Sequence, residues 1–119
     1  MAFSDPITFA YDAGNITLNR VSSGNFQSVW FGVGTDLTVT MTIKHTVPAV
    51  GADGESHLCR VDIDYFDATT GAFKRRASAW TSARTDGMPQ NSENSEDVLE
   101  ALVDFLSDAN ITKLVTRQS

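Results

Sequence analysis

The segment DLTVTMTIKHTV, residues 36–47, alternates apolar and polar side chains almost without a break. Leu37, Val39, Met41 and Ile43 fall on one side, and Thr38, Thr40, Thr42 and Lys44 on the other. A sustained period of two is the mark of a half-buried β-strand, because a helix would spread both rows around its circumference. The apolar row therefore requires a core. The opposite row is less ordinary: a wet sheet face usually carries a scatter of Glu, Lys and Ser, whereas this one is tiled with threonine and ends in lysine.

The rest of the chain supplies partners for that strand. ITFAY (7–11) and ITLNRV (16–21) flank the turn-rich DAGN and read as a β-hairpin. FQSVWFGV (26–33) is a third strand, and residues 36–47 are the fourth. Pro48 and VGADGE break the chain before SHLCRVDIDYF (56–66), the fifth strand. After the loop DATTG (67–71), AFKRRASAWTSA (72–83) is the sixth, and the polar RTDGMPQNSEN (84–94) ends the β region.

The pattern then becomes helical. Ser95 is placed to cap a helix, with Glu96 and Asp97 in its first turn. Val98, Leu99, Leu102, Val103, Phe105 and Leu106 follow at helical spacing through residue 106. Asn110 is placed to cap a shorter helix over 110–117, with Ile111, Leu114 and Val115 on one side. Helices this short are marginal alone and must pack on something. Strands followed by helices predict an α+β domain with helices on one face of an antiparallel sheet. The other face is left free to be wet or to bind.

Composition removes several alternatives. The chain has 119 residues and a net charge of −6, which argues against a generic nucleic-acid binder. The charge is segregated, however: residues 73–84 hold four basic side chains and no acid, and residues 92–108 hold six acids and no base. No apolar run is long enough to span a bilayer, and the N-terminal residues lack the basic start and apolar centre of a secretory signal. Cys59 is the only cysteine, so no intrachain disulfide forms; its place in the apolar row of the fifth strand predicts a buried structural thiol.

Catalytic and metal chemistry find little support. His45 and His57 are the only histidines, no third ligand is placed beside them by spacing, and no serine sits in a G-x-S-x-G elbow. Asp62 and Asp64 share a strand face, with Asp67 nearby; they suit a hard cation, or a solvated face neutralised by Arg60 or by residues 74–76. The strongest chemical signal is FKRRASAW. Alternation sets Lys74, Arg76, Ser78 and Trp80 on one face, where cations could hold phosphates and the ring could stack an unpaired base. An edge strand guarded by charge, with Trp80 in the core, reads equally well.

Taken in order, the N-terminal hairpin, SVWFGV, TVTMTIKHTV, HLCRVDIDYF, the strand around AWTSA and an acidic amphipathic helix followed by a shorter one resemble the coat proteins of small single-stranded RNA bacteriophages, the levivirus-like family. The resemblance covers nearly the whole chain and rests on order and architecture. It implies one coat domain over 1–119, with a hairpin (1–21), a meander sheet (26–84) and two dimerising helices (95–117) that pack on the sheet of a partner subunit. The interface would hold Val98, Leu99, Leu102, Val103, Phe105, Leu106, Ile111, Leu114 and Val115. It further implies homodimers built into an icosahedral, T=3 shell, with the loop Asp67–Gly71 near the symmetry axes. Genomic single-stranded RNA would lie on the inner face, and a particular RNA hairpin could be recognised to repress translation. The RNA-facing residues would be Thr38, Thr40, Thr42, Lys44, Arg60, Lys74, Arg76, Ser78 and Trp80. The resemblance implies neither cofactor, metal nor membrane partner and no enzymatic activity; it puts the protein in a virion assembled in the bacterial cytoplasm. The competing reading is a small α+β ligand-binding or enzyme domain with a pocket between sheet and helices.

Overall fold

The computed structural model describes residues 3–47, 55–85 and 92–118. Six strands lie in chain order across an antiparallel sheet: β1 (Ile7–Tyr11), β2 (Gly14–Gly24), β3 (Gln27–Gly34), β4 (Leu37–Thr46), β5 (Glu55–Phe66) and β6 (Phe73–Thr85). Two helices follow, α1 (Ser92–Phe105) and α2 (Asp108–Val115). The chain divides into two compact units, residues 1–46 with 57–82 and residues 47–56 with 83–119. The connection predicted after Pro48 falls outside the described residues, as does most of the polar stretch after Thr85.

In the first unit, tight turns set the register. Asp12 and Ala13 take positive φ (47° and 63°) between the paired Tyr11 and Gly14, and Asn25 and Phe26 do the same (51° and 62°) between Gly24 and Gln27. Two residues in the left-handed region match the twist of the strands they join. The turn expected over DAGN is thus narrower, and Gly14 and Asn15 already pair in β2. Val21 is the extra residue where Arg20 opposes Trp30 but Ser22 opposes Val29. Such a bulge bends its strand.

The bend shows in what the hairpin covers. Tyr11 of β1 hydrogen-bonds Tyr65 of β5 through their hydroxyls at 2.5 Å, although β2, β3 and β4 lie between them in the sheet order. The sheet is therefore curled, and β1–β2 folds over its apolar face. Leu18, Trp30 and Val39 are at most 1% exposed, with Ile16, Met41, Ile43 and Ile63 around them and Ile7, Phe9 and Leu37 packed alongside. The Val39–Met41–Ile43 row is thus buried by the chain's own strands. Residues 3–5 help close this core: the Ser4 carbonyl accepts from the Trp30 ring N–H at 3.3 Å, and Arg20 donates to the Phe3 carbonyl at 2.6 Å while lying over the Trp30 ring.

Cys59 corrects its sequence reading. It lies in the predicted strand but is exposed, because the hairpin does not reach that part of β5. Partial burial of the thiol still pushes its pKa up.

In the second unit both helices start earlier than predicted. Ser95 lies inside α1, which begins at Ser92; no Pro or Gly interrupts residues 92–97, so the helix continues back through them. Ser107, not Asn110, caps α2: its backbone is extended (φ −66°, ψ 164°) and its hydroxyl accepts from the Asn110 N–H at 3.4 Å. Asn110 sits in the first turn and donates its amide to the Phe105 carbonyl at 2.6 Å. Seven of the predicted interface residues, Val98, Leu102, Val103, Phe105, Ile111, Leu114 and Val115, are exposed, from 42% to 72%, while Leu99 and Leu106 are half-buried.

Candidate nucleic-acid interface

Strand pairing decides which predicted residues meet. On β3 and β4 the register sets Val29 against Thr42, Phe31 against Thr40 and Val33 against Thr38. The β4–β5 alignment follows from two contacts at opposite ends: the Phe66 N–H donates to the Asp36 carbonyl at 2.9 Å, and the His45 and His57 Nδ1 atoms lie 2.8 Å apart. Both correspond to one antiparallel register, which sets Thr42 beside Arg60, Thr40 beside Asp62 and Thr38 beside Asp64. From β5 to β6, Arg60 meets Trp80, Asp62 meets Ser78 and Asp64 meets Arg76. The threonine row and the FKRRASAW row therefore share one sheet face.

The chemistry of that face is more neutral than its basic residues suggest. Arg60 Nε donates to both Asp62 oxygens, at 3.0 and 2.9 Å, and its guanidinium lies 5.2 Å from the centre of the Trp80 ring. The Ser78 hydroxyl donates to the same Asp62 carboxylate. Arg76 grips Asp64 with two nitrogens, at 2.6 and 3.0 Å. Hydrogen bonds from Arg60 and Arg76 hold the Asp62 and Asp64 carboxyls below the usual carboxylate range, and both arginines are pushed up in return. Of the two readings of this acidic pair, neutralisation by arginine is the one the geometry bears out. Among the described residues, no three His, Cys, Asp or Glu side chains cluster as metal ligands.

The other two cations among the predicted site residues are Lys74 and Lys44. Lys74 lies 3.9 Å from Asp67, whose other carboxylate oxygen accepts from the Thr69 and Thr70 N–H groups at 2.8 Å and closes the 67–71 loop. Lys44 is exposed at the end of β4 and makes no ion pair among the described residues. Trp80 is 61% exposed, so it does not fill the core.

Sequence reasoning missed Phe31 on the same face. Phe31 is 38% exposed and stands directly between Asn19 of β2 and Thr40 of β4. The signal was present: Trp30 and Phe31 are adjacent in a strand, so only one of them can face the core. Trp30 does, at 1% exposure.

Comparison with known proteins agrees with this architecture. The family model of the phage phiCb5 coat protein matches residues 4–86. No curated protein sequence matches significantly. Among solved structures, the chain superposes on the virus-like particle of Beihai levi-like virus 21 with a TM-score of 0.74 at 10% identity, covering 99% of this chain and 98% of that one. The coat protein of bacteriophage EMS014 gives 0.66 at 12% identity, over 84% and 73% of the two chains. An unassembled bacteriophage coat protein, described as an RNA-binding dimer, gives 0.52 at 15% identity, over 97% and 95%. At these identities the structures establish the fold, while the family model spans β1 to β6. With six antiparallel strands followed by two helices, and a match through its whole sheet, the chain belongs to the phage phiCb5 coat protein family and is a structural capsid protein, not an enzyme.

Proposed function

We propose that this coat protein forms homodimers in which α1 and α2 cross the partner's sheet, that dimers close into an icosahedral shell, and that the Thr38–Thr40–Thr42 face lines the interior and holds single-stranded RNA. The carrying observation is the apolar surface of the helices. Seven large apolar side chains on two short helices stand exposed in the single chain. Such a surface on a soluble protein marks an interface. A second copy of the chain is its natural occupant, since a related fold is described as a coat protein dimer. Dimerisation would also cover β6, an edge strand of 13 residues that would otherwise invite aggregation.

The RNA assignment rests on the composition of the free face: hydroxyls from three threonines, a Lys44 with no ion pair among the described residues and an exposed Trp80 stacked on Arg60. Purified protein should elute in the void volume with strong absorbance at nucleic-acid wavelengths and appear as closed shells by electron microscopy. A monomeric species free of RNA would reject the reading. Hairpin-directed repression and assembly in the host cytoplasm are its finer parts. The first is tested by comparing affinity for phage hairpins with affinity for unstructured RNA of equal length at fixed salt.

A further inference from the structure

Asn19, Phe31 and Thr40 are direct cross-strand partners on β2, β3 and β4, so their side chains stand in one row on the free face. The row is unusual in where it spends apolar area. Phe31 keeps 38% of its surface open and Val33, two residues along the same strand, keeps 69%, while the other face of β3 buries Trp30. A ring flanked by an amide on one side and a hydroxyl on the other offers three things at once. It has a flat surface for stacking, an amide donor–acceptor pair for a base edge, and a hydroxyl as a further donor. Unpaired bases are bound through that combination of an aromatic platform with hydrogen bonds to the edge. The neighbouring row contributes nothing repulsive, because Asp62 and Asp64 are already held by Arg60 and Arg76.

We propose that Asn19, Phe31 and Thr40 form a base-binding subsite separate from the Arg60–Trp80 pair. Phe31 stacks one unpaired nucleobase, and Asn19 and Thr40 bond its edge. The inference rests on the RNA-binding reading above and adds its geometry. Phe31 and Trp80 are three strand intervals apart, about 14 Å across the sheet at ~4.8 Å per interval. One nucleotide cannot span that distance, so the two rings take different nucleotides of one strand. The occupant is RNA and not a second copy of the chain because the row is continuous with the threonine hydroxyls. The large apolar surface suited to a protein partner lies on α1 and α2 instead.

The test uses the assembled protein disassembled to dimers and an unstructured RNA decanucleotide, with affinity measured by fluorescence anisotropy across a salt series. Phe31→Leu keeps an apolar side chain and removes the ring; Phe31→Tyr keeps the ring. Base–aromatic stacking corresponds to a loss of about five- to hundred-and-fifty-fold. Phe31→Leu should weaken binding within that range and Phe31→Tyr should bind like the parent. Both should keep the parent's salt slope, because no cation is removed. Parent-like affinity in Phe31→Leu, with the parent itself binding RNA, overturns the subsite alone. Altered dimer or shell formation in Phe31→Leu with unchanged RNA affinity overturns it too, and reassigns Phe31 to a protein contact. Absence of RNA binding by the parent protein overturns the RNA reading and the subsite with it.

Discussion

Leu102→Asp is the sharpest test of the dimer. Leu102 lies on α1 and is 42% exposed in the single chain. Fully burying a leucine is worth about 1.5–3 kcal/mol, so the exposed share leaves roughly 0.6–1.3 kcal/mol per subunit for the partner to claim. Two copies meet in each dimer, which makes Leu102→Ala a loss of about 1–2.5 kcal/mol, or roughly five- to sixtyfold in dimer affinity. Aspartate does far more. It would carry an unpaired carboxylate into an apolar contact at several kcal/mol per ion, again twice per dimer. The expected outcome is no particles for Leu102→Asp, with the protein in the insoluble fraction, and shells of reduced stability for Leu102→Ala. Size-exclusion chromatography and electron microscopy of the two variants beside the parent give the answer. Normal particles from Leu102→Asp would mean that α1 does not bury this face in the assembly, and the interlocked-helix dimer would have to be abandoned.

Three further outcomes follow from the sheet. Gly32→Ala should cost about 1–3 kcal/mol in thermal or urea unfolding, because a Cβ there would lie 2.5 Å from the Thr17 backbone oxygen, which cannot move aside as a side chain can. Tyr11→Phe should cost about 0.5–1.5 kcal/mol by removing the hydroxyl pair with Tyr65. The Tyr11 pKa is pushed up to about 12, first by that hydrogen bond. The native state thus holds its proton more tightly than the unfolded chain, so stability from this pair should be full below pH 10 and fall as pH rises toward 12, a decline that Tyr11→Phe should blunt. Asp62→Asn with Asp64→Asn should strengthen RNA binding and steepen its salt dependence by about 0.7 per released arginine, measured as the slope of log affinity against log salt. An unchanged slope would mean that Arg60 and Arg76 do not face the RNA.

The elements were legible because their patterns were local. Alternation from Leu37 to Ile43 fixed both the strand and its buried side, and the amphipathic run from Val98 to Leu106 fixed α1. What the sequence could not display was the curl. Only the bulge at Val21 and the contact of Tyr11 with Tyr65 reveal that the hairpin covers Val39 and Met41 and leaves Cys59 open. Helix starts were misread for another reason. Asn110 is a good capping residue, but so is Ser107, and propensity does not rank them; Ser95 is tolerated inside α1 because nothing before it stops the helix. Phe31 was lost because aromatic residues in a strand are read as core until register assigns each one a side.

Register also decides how an acidic protein could carry RNA. Among the predicted site residues, Arg60 and Arg76 are each matched to a carboxylate and Lys74 has Asp67 within 4 Å, while Lys44 has no ion pair among the described residues. Under the proposed function, one subunit would then neutralise few phosphates and grip RNA weakly, with a shallow salt slope. Stacking on Trp80 and hydroxyl contacts from threonine add affinity that does not depend on charge and tolerates many sequences. A shell multiplies such weak sites on one polymer, so each subunit bound raises the effective concentration of RNA at the next. Weak individual sites would also let the strand rearrange while the shell closes, which strong arginine–phosphate clamps on every subunit would hinder. Under the same proposal, the aspartates of β5 would set RNA affinity per subunit low, so that retention becomes a property of the assembled shell. A direct consequence is that the Asp62→Asn, Asp64→Asn variant should bind RNA more tightly as a dimer yet yield more incomplete or misassembled particles by electron microscopy. Tighter dimer binding together with fully normal shells would refute the trade-off.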